Sequence, residues 1–412
     1  MTRTSFITPV LIAGCLIAMT GFAIRSAFGV FQIPIAEEFG WARTEFSLAI
    51  AIQNLAWGIG APVFGAIAEK IGDRRAIFLG AVLYAAGLVL TTWATTPGAV
   101  QALEVMVGFG IAGTGFGVVL AVVGRAASPE NRSLTLAIAT AAGSVGQVIG
   151  PPLAEVLLGF MTWQSVFLVF AGGILAVLLT LPLLRAPPAM GAKEPAEPMG
   201  AVVMRAIRDP SYALIFVGFF SCGYQLAFLT AHFPALVVDL CGAIAPDGVL
   251  AGLGVTTTSA LGAMAIGVIG LANIAGTLAA GWAGKHWQKK NLLVGIYTAR
   301  MLVSAWFILV PVTPVTVLVF SAIMGSLWLA TVPLTAGLVA QLYGVRYMGT
   351  LYGLVFFSHQ LGGFMGAWLG GRLYDVFGTY TTVWWVGVAV AAVSALVHIP
   401  IRERRGALAA AA

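Results

Sequence analysis

Long apolar runs separated by short polar breaks set the pattern of this chain from end to end. A helix needs about 20 mostly apolar residues to cross a bilayer. On that measure the runs predict twelve spans, at roughly 8–35, 44–68, 76–95, 99–124, 133–157, 164–184, 211–237, 255–284, 291–311, 313–342, 348–371 and 380–400. The first run is longer than the ~7–15-residue core of a signal peptide, so it is read as span 1 and not as a cleaved leader. The fold class expected is an all-α membrane protein, with twelve transmembrane helices in two pseudo-symmetric six-helix bundles.

One connection is long. Residues 185–210 carry Pro187, Pro188, Pro195, Pro198 and Pro210 among Lys193, Glu194, Glu197, Arg205 and Arg208. That mixture breaks helices and does not suit lipid, so it divides the chain into 1–184, a cytoplasmic linker 185–210, and 211–412. Composition agrees with a lipid-facing surface. The chain is 60% hydrophobic and only 9% charged, where a soluble domain carries about 25% charged residues. Cys15, Cys222 and Cys241 show no regular spacing, which offers neither a disulfide framework nor a metal motif.

The net charge of +6 reads as topology, with no call for nucleic acid. With the amino terminus in the cytoplasm, only Arg43 and Arg372 fall outside and only Arg25 and Arg300 within spans. The other 17 of the 21 basic residues then lie at the cytoplasmic face, as the positive-inside rule requires. The expected location is the cell inner membrane, multi-pass, with both termini cytoplasmic.

The two halves repeat. Gly65-Ala-Ile-Ala-Glu69-Lys70 at the end of span 2 matches Gly281-Trp-Ala-Gly-Lys285-His286 at the end of span 8, an offset of 216. Gly146 and Gly150 in span 5 match Gly362 and Gly366 in span 11 at the same offset of 216. In spans 1 and 7, Ala27-Phe28 and Pro34 match Ala227-Phe228 and Pro234 at an offset of 200, which makes Gln225 the mate of Arg25. Parallel repeats of this kind are one plan of secondary transporters.

Gly65 to Arg75 reads G-A-I-A-E-K-I-G-D-R-R. It resembles the signature of the major facilitator superfamily, G-x-x-x-[D/E]-[R/K]-x-G-x-[R/K]-[R/K], at every fixed position and in the place that family keeps it. The glycines suit close packing and a tight turn. The resemblance implies that Gly65, Glu69, Lys70, Gly72, Arg74 and Arg75 latch the two halves in the outward-open state; the other reading is that they only set topology. It also implies that spans 1, 4, 7 and 10 line a central cavity. Arg25-Ser-Ala-Phe-Gly-Val-Phe with Pro34 and Glu38-Phe-Gly-Trp41, and Cys222-Gly-Tyr-Gln-Leu-Ala-Phe with His232-Phe-Pro234, resemble bacterial relatives of the monocarboxylate and oxalate carriers. Those carriers place an arginine in span 8 four residues after an Asp or Asn; here Asn273 is followed by Thr277. Their amino-terminal Asp/Glu-Gly motif is absent. The span-4 arginine of proton-driven drug carriers is also absent, and Glu104 stands in that chain region.

An ionisable side chain inside a span costs about 2.5–3.5 kcal/mol near its centre, so each one needs a reason. Arg25, in span 1, is the first candidate to hold a substrate carboxylate through two parallel hydrogen bonds. With no acid evident at the same depth, the cavity is expected to be net positive. The alternative is a structural bridge from Arg25 to Glu104. Arg300 lies in span 9, which is expected to be peripheral, so packing or a buried pair is at least as reasonable for it as a ligand role. Glu155 lies toward the outer end of span 5. His359 suits proton coupling because imidazole titrates near neutrality, though a packing histidine is as reasonable; Glu104 is the other coupling candidate. Tyr224, Gln225, Asn273, Trp328, Gln360, Thr114 and Gln147 join Arg25 and His359 as candidate substrate contacts, each with interhelical hydrogen bonding as its plainer role.

Several classes are excluded. Gly108, Gly110 and Gly113 form G-x-G-x-x-G, but inside an apolar span with no strand before it, so no nucleotide fingerprint is read. Gly150-Pro151-Pro152 resembles part of an antiporter motif and is read as a helix kink. No reactive constellation marks an enzyme and no cofactor is expected. The expected activity is secondary active transport of a small organic anion, a mono- or dicarboxylate. The substrate binds near the midplane between halves that rock around it, coupled to a proton or a counter-substrate. The alternative on the same fold is efflux of hydrophobic drugs. Expected partners are the anion, the proton or counter-substrate and the lipid bilayer, with the carrier a monomer.

Overall fold

The computed structural model describes residues 8–127, 132–185, 199–343 and 348–403. Among them the chain folds into helices with no strand, which keeps backbone hydrogen bonds within each segment as lipid demands. Among the described residues, eleven helices are long and apolar enough to cross a membrane. The remaining predicted span is the 30-residue helix Met348–Phe377. Its Ser358, His359 and Gln360 are buried and lower its hydropathy without exposing polarity to lipid.

The chain divides into two compact units, Met1–Ala192 and Lys193–Ala412. In the first, span 1 runs Pro9–Ala27, tightens into a 3₁₀ turn over Phe28–Phe31 and finishes as Gln32–Phe39. Span 2 is Arg43–Ile71 and span 3 is Asp73–Thr91. Span 4 is broken into Pro97–Thr114 and Phe116–Ala126. Span 5 is Arg132–Leu158 and continues through Pro151 and Pro152. Span 6 is Trp163–Ala176 followed by a 3₁₀ segment, Val177–Leu183. In the second unit, spans 7, 8 and 9 are Pro210–Leu240, Thr258–His286 and Lys289–Leu309. Span 10 is broken into Pro314–Leu327 and Thr331–Tyr343, and Met348–Phe377 and Thr381–His398 are spans 11 and 12. Neither break was expected from the apolar runs, which pass over both without interruption.

Spans 1, 4, 7 and 10 start alike. Thr8, Thr96, Asp209 and Thr313 accept from the N–H groups of Leu11, Ala99, Ser211 and Thr316 at 3.2, 3.3, 2.8 and 3.2 Å. Each cap is followed by a proline, Pro9, Pro97, Pro210 or Pro314. A cap of this kind is worth about 1 kcal/mol, and proline there removes an N–H that would have no partner.

Glycines set the closest helix contacts. A Cβ at Gly146 or Gly150 of span 5 would overlap the carbonyl oxygens of Met19 and Ala23 in span 1. Gly362 and Gly366 of span 11 stand in the same relation to Phe220 and Tyr224 in span 7. The 216-residue repeat of the glycines is therefore a repeat of contacts. Their partners, however, are offset by 201 (220 − 19 and 224 − 23), so packing makes Leu226, and not Gln225, the repeat equivalent of Arg25. The sequence match at Ala27-Phe28 had put this register one residue too low.

Each unit also ties the start of its third span to the end of its sixth. Arg74 donates through Nε and Nη2 to the Leu184 and Pro182 carbonyls at 2.7 and 3.1 Å. Its repeat mate Lys290 (290 − 74 = 216) donates through Nζ to Ile399 O at 3.2 Å. A cation at a helix carboxyl end satisfies orphan carbonyls and the helix dipole together.

The segment 185–210 is not wholly irregular. Met199–Ile207 is a helix, and its Val202 and Ala206 are buried in the core of the second unit with Tyr212 and Ile215. The prolines explain the difference: none lies between Pro198 and Pro210, so that stretch is free to wind. Residues 186–198 lie outside the described residues.

Candidate functional site

Each unit encloses a buried polar cluster, and Arg25 is the centre of the first. Its side chain is 7% exposed. Nη2 donates to Asn54 Oδ1 at 2.8 Å, and the guanidinium carbon lies 4.8 Å from the Trp57 ring centroid. Asn54 is itself fixed, donating from Nδ2 to Ile50 O at 2.9 Å. Arg25 Nε is buried with no hydrogen-bond partner. Among the described residues no carboxylate lies within the 4.0 Å of an ion pair with Arg25.

Glu104 is 1% exposed and accepts from Gln53 Nε2 at 2.7 Å. Gln53 and Asn54 are consecutive on span 2 and differ by only about 1.5 Å in rise. Glu104 therefore sits at nearly the depth of Arg25, and the expectation that no acid does so is overturned. The two amides point about 100° apart around the helix and hold acid and base separately, so the Arg25–Glu104 bridge raised as the alternative is not formed. Tyr84 is close enough to interact electrostatically with both. Thr114 ends the first piece of span 4 and bonds Gly110 O at 3.0 Å. It lies against Gly21, one turn before Arg25. Gln147 is 5% exposed. Trp57 Nε1 lies at the span-4 break, 3.5 Å from where a Cβ of Gly115 would stand.

In the second unit Arg300 is the centre. It is 1% exposed and reaches inward from span 9 to span 10, hydrogen-bonded within the protein as the packing reading expected. Nε and Nη2 donate to Leu327 O at 3.3 and 2.9 Å, and Nη2 also donates to Trp328 O. Nη1 donates to Gln225 Oε1 at 3.4 Å. Asn273 Oδ1 accepts from Leu329 N–H and from Thr277 Oγ1, both at 2.9 Å. Gln225, Asn273 and Trp328 are thus brought together around the span-10 break. His359 shares Nδ1 with Gln360 Oε1 at 2.8 Å, stacks on Phe356 and leaves Nε2 buried without a partner. Tyr224 packs beside Phe228, and its hydroxyl is buried and unpartnered.

The signature segment forms a tight turn and a cap on a neighbouring helix end. Gly72 turns the chain at φ 95°, a conformation that favours glycine. Asp73 pairs with Arg125 at 2.5 Å. Gly65 was expected to pack closely, but a Cβ there would meet nothing within 4 Å. Lys70 and Arg75 are exposed, and the Glu69 side chain lies outside the described residues.

The residues missed from sequence are Asn54 and Trp57 beside Arg25, and Cys222 and Thr331 beside Arg300. A Gln53-Asn54 doublet inside an apolar run was the available signal for the first pair.

Residues 11–367 match the sequence model of the family described as Major Facilitator Superfamily. A relative from Bacillus subtilis, named the uncharacterized MFS-type transporter YcxA, is 23% identical over 411 residues, covering 95% of this chain and 94% of its own. Monocarboxylate transporter 13 of Rattus norvegicus is 25% identical over 373 residues, covering 87% of this chain and 80% of its own. Human monocarboxylate transporter 11 is 24% identical, with coverages of 89% and 78%. Among solved structures, the MFS transporter FucP in the outward conformation aligns with a TM-score of 0.63 at 15% identity, over 97% of this chain and all of the other.

Proposed function

The chain belongs to the Major Facilitator Superfamily, and from that premise we propose that this multi-pass transporter carries a small organic anion, a mono- or dicarboxylate, together with a proton. The observation that carries the proposal is Arg25. A buried guanidinium with no carboxylate in ion-pair contact and an unpartnered Nε retains charge and donors that a carboxylate matches bidentately. The monocarboxylate transporters among the relatives support the same chemistry.

Coupling follows from Glu104. Ionised, it offsets the charge of Arg25 within one cluster; protonated, it leaves that charge to the substrate. Anion and proton then favour each other's binding, which is the linkage that symport needs. Such a carrier belongs in the inner membrane with both termini cytoplasmic, as its basic loops favour.

The test is uptake into proteoliposomes. Labelled mono- and dicarboxylates are offered with and without an inward proton gradient, beside an assay for efflux of a cationic dye. Saturable carboxylate uptake raised by the gradient is expected. Dye efflux without carboxylate uptake would replace the proposal with the drug-carrier alternative.

A further inference from the structure

Span 10 stops being helical between Leu327 and Thr331, and a break inside a bundle frees backbone groups where no solvent satisfies them. Each such group costs several kcal/mol in an apolar interior unless something meets it. Side chains from three neighbouring spans do so. Arg300 of span 9 takes the Leu327 and Trp328 carbonyls. Asn273 of span 8 takes the Leu329 N–H. From span 7, Cys222 accepts from Thr331 Oγ1 at 3.2 Å, lies 3.9 Å from Arg300 Nη2 and directs its thiol at Trp328 O, also at 3.9 Å. The guanidinium adds a charge to the carboxyl end of Pro314–Leu327, where the helix dipole favours a cation.

We propose that Arg300 is a positioning residue of the transport reaction: it pins the break in span 10 and so fixes Trp328 and Gln225, without itself binding the anion. Its Nε, Nη1 and Nη2 are all engaged by protein acceptors, which is the reverse of Arg25. At the span-4 break it is the indole of Trp57 that lies at Gly115. The consequence for transport rests on the function proposed above, whereas the pin is a property of the fold alone.

Two readouts test it. In a carrier whose other cysteines are removed by Cys15→Ser and Cys241→Ser, Cys222 is the remaining thiol, fully buried and closed in by the pinned break. Arg300→Gln is expected to raise its alkylation by N-ethylmaleimide at least about tenfold in protein that remains monodisperse, with Arg300→Lys in between. In transport, a less populated working geometry raises the apparent KM of every carboxylate by one common factor. The ratios between carboxylates should therefore stay within about twofold of wild type. Unchanged Cys222 protection in Arg300→Gln overturns the pin. Ratios that change with the charge or length of the carboxylate overturn the claim that Arg300 does not touch substrate. Should Arg300→Gln not fold, Arg300→Lys and Asn273→Ala carry the alkylation test, and protection in both overturns the proposal. If wild type moves no carboxylate, alkylation still decides the pin, and it is the function proposed above that has failed.

Discussion

Replacing Arg25 by glutamine separates a ligand-binding arginine from a structural one. The side chain gives one hydrogen bond to protein, at Asn54, out of the five N–H donors of a guanidinium. Two charge-assisted bonds to a substrate carboxylate are worth about 1.5–3 kcal/mol each. Glutamine recovers part of one, so the net loss is about 3 kcal/mol, or roughly 100-fold in affinity at 1.4 kcal/mol per decade. Arg25→Lys keeps the charge but loses the planar fork, for about a tenfold loss. Stability should move the other way. Arg25→Gln removes a buried charge that has no carboxylate in ion-pair contact, so much of its desolvation cost disappears and melting should not fall. The assay is counterflow of the best carboxylate from the uptake panel, with KM for wild type, Arg25→Lys and Arg25→Gln, beside thermal unfolding in detergent. A KM within twofold of wild type in Arg25→Gln would refute the anion argument. So would a variant that loses activity only because it unfolds, since that is the behaviour of a guanidinium already satisfied by protein.

Further outcomes follow from neighbouring contacts. Glu104→Gln can keep a hydrogen bond to Gln53 while losing the titrating group, so counterflow should persist while proton-driven accumulation and substrate-induced alkalinisation disappear; a pH-sensitive dye in the liposome reads this. Gly150→Val and Gly366→Val each force side-chain atoms into a carbonyl of the facing span; each should cost at least about 1–3 kcal/mol and lower the melting temperature, whereas valine at exposed Gly98, which meets nothing within 4 Å, should change little. Arg74→Ala removes two hydrogen bonds from the end of span 6, and amide exchange near residues 182–185 should quicken without a matching change near Ile399, which Lys290 holds independently.

The spans were legible because lipid selects for apolar composition, and composition survives in a one-dimensional sequence. Their internal breaks were less so. Gly115 belongs to a glycine run that marks span 4 as bendable, but Trp328-Leu-Ala carries no turn residue; its break is visible only once Arg300 and Asn273 are seen to hold its backbone. The cap-proline pairs at 8–9, 96–97, 209–210 and 313–314 were open to view and mark every third span. They are a finer repeat than the 216-residue one, because they record where each helix starts and not merely how the halves correspond. Arg25 could be singled out as a charge in an apolar run. Its environment could not, since whether it meets Glu104 or Asn54 depends on the rotation of span 2, which sequence spacing leaves open by a single residue.

That single residue carries the functional argument. Gln53 and Asn54 present two amides at one level in two directions, one toward the acid and one toward the base. Had one carboxylate stood in place of Asn54, Arg25 would be neutralised by a fixed partner and would have no charge left for a substrate. With amides at both positions, each ionisable group is hydrogen-bonded but neither is discharged by its holder. Under the proposed function, a proton would act on the acid and an anion on the base. The second unit makes the opposite choice. There the guanidinium of Arg300 is committed to backbone carbonyls, a partner set that no proton or solute displaces cheaply. The same residue type thus stands in two settings in one chain, and what distinguishes them is how many of its donors the protein itself has already engaged.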